Sequence, residues 1–283
     1  MSETTTQTKT KMSTRQRTRA LTEAALMLAL GTVLQFIPLV KMPFGGDVTA
    51  FCMLPVIIIA YRYGCKFGFL VGFVYSLIQL LLGMNNLQYG TSFTAVVIIL
   101  LFDYILAYSS IGLAGVFKNS KLSQGKALAY GSLIVCAVRL ICHIISGCTV
   151  WAIWAPEGMP VIEYSVLYNS AYMIPEAIIT AAVGVWISSF IDFRNPTLAV
   201  HVRKESTGGA STVILKTVSS LFAIAAVVID TLHIFSTVQS EEGFNLALIS
   251  NVNPLLLVVT TLIGAAGCVL FYLIYKKTAS KNG

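Results

Sequence analysis

Eight long apolar runs dominate this sequence and leave little room for anything but a membrane fold. An apolar run of roughly 18 to 25 residues is long enough to cross a lipid bilayer as a helix. We place the runs at about 20–40, 48–63, 67–84, 92–117, 127–151, 165–191, 210–237 and 250–275. Only 11% of the residues are charged, too few to cover a water-soluble domain. The sequence therefore predicts an all-α, polytopic bundle of helices in a membrane.

Basic residues fall mostly on one side of this predicted bundle. Seventeen of the 19 Lys and Arg residues lie in the two tails and in alternate loops, whereas the opposite loops hold only Lys41. Cytoplasmic segments of membrane proteins are rich in Lys and Arg. The pattern predicts a multi-pass plasma-membrane protein with both termini in the cytoplasm. The net charge of +7 follows from this topology, so nucleic acid is not an expected partner.

Composition divides the chain into a main body and an addition. A stretch containing Pro196, Gly208 and Gly209 with mixed charge reads as a linker between the sixth and seventh runs. We predict a cytoplasmic basic tail over 1–19, a six-helix substrate-binding membrane domain over 20–192, a cytoplasmic linker over 193–209, an additional two-helix hairpin over 210–276 and a cytoplasmic tail over 277–283.

Polar and aromatic residues concentrate between Cys142 and Glu176, around one short loop that joins two apolar runs. Two polar stripes at helical spacing approach this loop, one on the fifth run and one on the sixth. The stripes are Arg139, His143 and Gly147, and Asn169, Tyr172 and Glu176. Because an unpaired polar group in hydrocarbon costs several kcal/mol, the stripes are expected to face each other and line a ligand pocket.

The charges inside the spans also have structural interpretations. Arg139 and Glu176 are expected to form an ion pair deep in the bundle, to which Asp103 is a candidate third member. Asp230, in the seventh run, is interpreted as a structural residue of the hairpin.

Asp103 and Tyr104 lie side by side near the middle of the fourth run. A carboxylate next to an aromatic ring, opposite Trp151, suits a flat organic cation, because the acid offsets the charge and the rings offer stacking or cation–π contact. A neutral sugar or an anion would suit this combination poorly. The structural alternative is that Asp103 is simply paired with Arg139.

The sequence contains no motif through which the chain would hydrolyse ATP by a P-loop. The nearest string, QGKA at 124–127, lacks the first glycine and the hydroxyl residue of that motif. The cysteine spacing indicates neither a metal site nor a disulfide, and no cofactor is expected. A membrane-embedded hydrolase built from Ser146, His143 and Asp103 is a weak alternative, because no oxyanion donors are evident.

The strings RLICHIISGCTVW, YSVLYNSAYMIPE and LLFDYILAY, within residues 100–176, resemble the thiamine-specific S component of energy-coupling factor transporters. S components are the substrate-binding membrane subunits of these vitamin importers. The resemblance runs from about residue 20 to 192. It implies a six-helix body that binds extracellular thiamine tightly and delivers it through a separate membrane coupling protein with two ATPase subunits. A chain of this kind is not an enzyme.

The resemblance also assigns residues to roles. Asp103 is expected to bind the cationic or amino-bearing part of thiamine, Trp151 to stack on it and Tyr104 to make aromatic contact. Hydrogen bonds are expected from His143, Tyr164 and Asn169. Ala25 and Ala29, four residues apart on the first run, would form the surface that meets the coupling protein; the alternative is packing within this chain.

Two features depart from the family pattern. The first outer loop, 38–51, lacks the tryptophan that closes over the ligand in the family, and Phe44 is the nearest substitute. The hairpin over 210–276 is additional to a six-span body. The alternative functions are an S component for another vitamin or for a thiamine precursor such as a hydroxymethylpyrimidine, a membrane enzyme, and a scaffold without substrate.

Overall fold

The computed structural model describes residues 13–42, 46–195, 209–240 and 243–281. Within these ranges the chain forms eight main helices and two short β-hairpins. The helices are α1 (Thr14–Gln35), α2 (Leu54–Tyr63), α3 (Cys65–Leu82), α4 (Phe93–Asn119), α5 (Gln124–Thr149), α6 (Val161–Ile187), α7 (Gly209–Val238) and α8 (Pro254–Lys281). Strands β1 (Pro38–Val40) and β2 (Val48–Thr49) pair antiparallel, as do β3 (Gln239–Ser240) and β4 (Gly243–Phe244).

Six of these helices are long and apolar enough to cross a membrane, counted over the described residues. They are α3 to α6 together with Ile214–Val238 of α7 and Pro254–Thr278 of α8. The predicted all-α membrane fold, with a body followed by a two-helix hairpin, is therefore confirmed.

The prediction of a membrane-length second span over 48–63 is wrong. Pro38–Val40 and Val48–Thr49 pair as strands β1 and β2, and α2 has only 10 residues, about 15 Å of helix against a hydrocarbon core of about 30 Å. Eight of its residues are buried by protein: Leu54, Pro55, Val56, Ile57, Ile58, Ile59, Ala60 and Tyr61. An apolar run of this composition is usually predicted to cross the membrane, but here it forms the centre of the protein core.

Helix α4 changes its winding along its length. It begins as α-helix at Phe93, becomes π-helix over Ile99–Ile105 and ends as 3₁₀-helix over Ser110–Asn119. Asp103 and Tyr104 lie in the π-helical part, where each turn holds an extra residue. This local widening determines which side chains of α4 point into the bundle.

Polar contacts tie α1, α2 and the end of the body together at the end opposite the β1–β2 hairpin. Arg62, in the last turn of α2, forms a salt bridge with Glu23 of α1 at 3.0 Å. The same guanidinium donates to the backbone carbonyls of Phe193 and Asn195, the latter at 3.1 Å. Residues 193–195, predicted to begin a linker, are thus held against the body.

The C-terminal hairpin packs on one side of the body. Trp186 of α6 donates to Thr217 of α7 at 2.9 Å, and Phe235 and Val238 at the other end of α7 are buried in the main core cluster. Asp230 accepts hydrogen bonds from Thr260 and Thr261 of α8. Asp230 therefore joins the two helices of the hairpin, as its structural interpretation predicted.

Candidate functional site

A cavity of about 340 Å³ opens among the β1–β2 hairpin and helices α3, α4, α5 and α6. All six side chains predicted to bind ligand line it: Asp103, Tyr104, His143, Trp151, Tyr164 and Asn169. They come from three helices and from the turn that follows α5, so the fold brings together residues that are up to 66 positions apart, from 103 to 169. Phe44, the predicted substitute for the closing tryptophan, lies outside the described residues.

Asp103 is the centre of a hydrogen-bonded cluster in the wall of this cavity. Its Oδ1 lies 3.1 Å from Nδ1 of His143, and its Oδ2 accepts from Oγ of Ser146 at 2.8 Å and from Nε1 of Trp151 at 3.3 Å. The acid is thus oriented by three groups from α5 and the turn after it. The alternative pairing with Arg139 does not form.

The same cluster argues against the hydrolase alternative. Ser146 is fully buried, and its hydroxyl donates to Asp103 rather than to His143. A nucleophilic serine needs a hydrogen bond to its base and access to substrate. In this arrangement Ser146 serves to orient the acid.

Hydrogen bonds within the protein hold both Tyr104 and Asn169 in place. The Tyr104 hydroxyl donates to the backbone carbonyl of Gly83 at 2.9 Å and accepts from Asn86 at 3.1 Å. The Asn169 amide donates to the Ser165 carbonyl at 2.8 Å, and its oxygen accepts from Tyr172 at 2.7 Å. Both side chains are pre-positioned, which limits the entropy that ligand binding must cost.

Close packing of α5 on α6 depends on Gly147. A Cβ at this position would collide with Oγ of Ser165 and lie 3.1 Å from Nδ2 of Asn169. The glycine predicted as part of the polar stripe therefore lets the two stripes meet in the cavity wall.

Aromatic rings form one face of the cavity. Tyr164, Tyr168 and Tyr172 follow one another at four-residue spacing along α6, with ring centroids 5.9 Å and 6.1 Å apart. Trp151 packs against Tyr89 with centroids 5.0 Å apart. Trp154, in contrast, is 41% exposed and does not line the cavity.

The predicted ion pair between Arg139 and Glu176 is wrong. Among the described residues no carboxylate lies within 4.0 Å of the Arg139 guanidinium, which instead lies over the Tyr108 ring at 4.2 Å. Glu176 accepts hydrogen bonds from the backbone N–H and hydroxyl of Thr49, at 2.7 and 2.8 Å. Thr49 of β2 is therefore the partner of Glu176 in place of Arg139. The sequence did not predict the hairpin that carries this threonine.

Several buried polar atoms of the cavity wall have no protein partner. Among the described side chains, these include Nε2 of Gln79, Nε of Arg139 and Nε2 of His143. Buried polar groups are normally hydrogen-bonded, so unpaired ones on residues that line a cavity are candidates for contact with a polar ligand. Sequence reasoning missed Gln79 and Tyr168; only the tyrosine spacing carried a signal.

Comparison with known proteins identifies the family of this chain. A family model described as thiamine transporter protein (Thia_YuaJ) matches residues 21–192, the body without the hairpin. The thiamine transporter ThiT of Bacillus subtilis is 34% identical over 174 residues, 58% of this chain and 86% of that protein. ThiT of Lacticaseibacillus paracasei is 23% identical over 182 residues, 59% of this chain and 85% of that protein.

A solved structure supports the fold. ThiT from Listeria monocytogenes superposes with a TM-score of 0.50 at 24% identity, covering 61% of this chain and 94% of that one. The resemblance to a thiamine-specific S component, first drawn from the motifs around Asp103 and His143, is confirmed by the family match. This multi-pass membrane protein belongs to the thiamine transporter family.

Proposed function

We propose that this chain is the high-affinity thiamine-binding subunit of an ATP-driven importer. The observation that carries the proposal is the Asp103 carboxylate, held in the wall of a cavity by His143 and Trp151. Thiamine combines a permanently charged thiazolium, a stackable aminopyrimidine and a hydroxyethyl arm. An oriented acid next to aromatic rings matches the first two of these groups.

Each predicted ligand residue has a proposed role in this site. Asp103 would bind the cationic or amino-bearing part of thiamine and Trp151 would stack on an aromatic ring. Tyr104 would make an aromatic contact, while His143, whose Nε2 has no protein partner, would form a hydrogen bond to the ligand. Tyr164 and Asn169 would complete the polar contacts from α6. The chain would capture thiamine and release it unchanged.

Energy would come from separate subunits. The sequence contains no P-loop, so we propose that a membrane coupling protein and two ATPase subunits drive import. Ala25 and Ala29 are exposed on α1, next to Leu21 and Leu26, which are 60% and 65% exposed. Small side chains at four-residue spacing let another helix approach closely, so this face of α1 is the proposed docking surface.

We also propose that the cavity mouth faces the extracellular side of the plasma membrane, with both termini in the cytoplasm, because Lys and Arg are enriched in cytoplasmic segments of membrane proteins. Reporter fusions after the last residue of α8 and within the turn from 155 to 160 test this orientation. We expect the first to report cytoplasm and the second to report the outside. The reverse result would place the cavity mouth in the cytoplasm and contradict uptake.

Calorimetric titration of the detergent-solubilised protein tests ligand identity. Thiamine should bind stoichiometrically and be recovered chemically unchanged. A hydroxymethylpyrimidine should bind far more weakly, because it has the stacking ring but no thiazolium. Tighter binding of the hydroxymethylpyrimidine would indicate that the substrate is a thiamine precursor. Chemical conversion of thiamine would indicate an enzyme and contradict a transport function.

A further inference from the structure

The added C-terminal hairpin packs on the body through one apolar face of α7. Residues on this face recur at three- and four-residue spacing, which keeps them on one side of a helix. Those that belong to the main core cluster or pack against it are Ile224, Val227, Val228, Phe235 and Val238. Residues 209–281 lie outside the range 21–192 that matches the family model. This chain therefore places an extra element against the family body.

The last turn of α7 lies beside strand β1. The helix contacts this strand, and Val40 and Met42 belong to the same buried cluster as Phe235 and Val238. Val238 is fully buried and Phe235 is 8% exposed, although Val238 is the last residue of α7. The apolar end of α7 is therefore packed into the same core region as the β1–β2 hairpin.

Strand β2 and the residues just before it form part of the cavity wall. Gly46, Asp47 and Thr49 line the cavity. A Cβ at Gly46 would collide with the ring of Tyr172, so the backbone at this position lies directly on α6. Thr49 donates two hydrogen bonds to Glu176 of α6. The β1–β2 hairpin is thus held between two helices, by polar bonds from β2 to α6 and by apolar packing of β1 near α7.

The β1–β2 hairpin depends on such contacts for its position. Its strands have only three and two residues, and an isolated two-stranded hairpin is marginally stable at best. Segments with few buried contacts open locally more often than the rest of a protein does. Loss of the packing against α7 would therefore loosen one wall of the cavity before it unfolds the body.

We propose that Phe235 and Val238 are positioning residues for this wall, and that the added hairpin slows ligand release by holding β1 and β2 in place. Neither side chain lines the cavity, so the effect passes through β1. A wall that opens less often retains its ligand longer, and affinity differences between related complexes lie mostly in the dissociation rate. The effect on release rests on the proposed function, with thiamine as the ligand, whereas the bracing of the wall does not.

Amide hydrogen exchange of the unliganded full chain in detergent tests the bracing. Phe235→Ala should raise exchange of the β1 and β2 amides by about tenfold or more, and the milder Val238→Ala should raise it less. Phe235→Leu keeps a large apolar side chain and should stay near the wild-type rate. Thr217→Val is the matched control. It removes the bond from Trp186 at the other end of α7, about 27 Å from Phe235 along the helix axis, and should leave these amides unchanged.

Release of thiamine into excess competitor, followed by tryptophan fluorescence, tests the consequence for the ligand. The dissociation rate should rise about tenfold in Phe235→Ala and stay near the wild-type rate in Phe235→Leu and Thr217→Val. Thermal unfolding checks that each variant is folded. If Phe235→Ala fails to fold, Val238→Ala decides the comparison.

Unchanged exchange of β1 and β2 in the alanine variants would overturn the proposal. Exchange that rises equally throughout α3 to α6 would also overturn it, because that pattern indicates a general loss of stability. Faster exchange with an unchanged dissociation rate would overturn the role in ligand release. If the wild type binds no thiamine, the proposed function fails, and the exchange rates of the unliganded protein still decide whether α7 braces the wall.

Discussion

Trp151 donates its indole N–H to the Asp103 carboxylate across 3.3 Å. This bond joins the ring expected to stack on the ligand to the acid expected to bind its charge. Orientation of one side chain therefore depends on the other. A substitution at either position is expected to disturb both contacts, so the two energies should not be additive.

Asp103→Asn should weaken thiamine binding by about 1.5–3 kcal/mol, the usual value of a charge-assisted hydrogen bond. The same substitution should weaken binding much less for an analogue that has an uncharged ring in place of the thiazolium. Calorimetry on both ligands, with thermal unfolding as a check on folding, measures the difference. Equal losses for the two ligands would mean that Asp103 only maintains the structure.

Trp151→Ala should lose substantially more affinity than Trp154→Ala. Trp151 lines the cavity, whereas Trp154 is 41% exposed outside it and fits a ring at the membrane interface. The two variants remove the same side chain from the same turn, so each is the other's control. Equal affinities, measured by titration calorimetry, would remove Trp151 from the binding site.

Ala25→Trp combined with Ala29→Trp should abolish uptake in cells that carry the ATPase module but leave thiamine binding in detergent unchanged. Both positions are exposed on α1 and far in sequence from the cavity residues of α4 to α6. Val259→Trp with Ile263→Trp, at exposed positions of α8, is the matched control and should transport normally. Normal uptake by the alanine variant would show that this face of α1 is not the docking surface.

Thr49→Val should lower the thermal stability of the protein by the equivalent of about 1–3 kcal/mol, because one oxygen of buried Glu176 loses its hydroxyl donor. Thr32→Val removes a hydroxyl that bonds only to the carbonyl of Leu28 within its own helix, and it should have little effect. Unfolding curves in detergent compare the two. Similar stability in both variants would show that the bond between β2 and α6 contributes nothing measurable.

The long apolar runs were sufficient to predict the all-α membrane fold, because this signal is a sum over many residues. They failed at α2. A fully buried 10-residue helix and a lipid-facing span have the same apolar composition, and only length distinguishes them. The π-helical winding around Asp103 likewise has no signal in a single sequence.

The cavity wall was predictable where chemistry and spacing coincided. Asp103 beside Tyr104, and His143 eight residues before Trp151, pointed to a single site that the fold assembles. The partner of Glu176 was not predictable, because the hairpin that carries Thr49 lies 127 residues away in sequence. Tertiary packing decides which neighbour a buried charge contacts. The prediction that Glu176 pairs with Arg139 used only their opposite charges.

The short helix α2 also constrains how this protein can be made. It leaves the ribosome before α3, α4, α5 and α6, the helices that later surround it, and it is too short to be inserted across a bilayer by itself. Until the following spans have been synthesised, α1 is therefore the main helix of the body available to pack against this apolar segment. The centre of the core would then be among the last parts of this membrane domain to be enclosed during biogenesis.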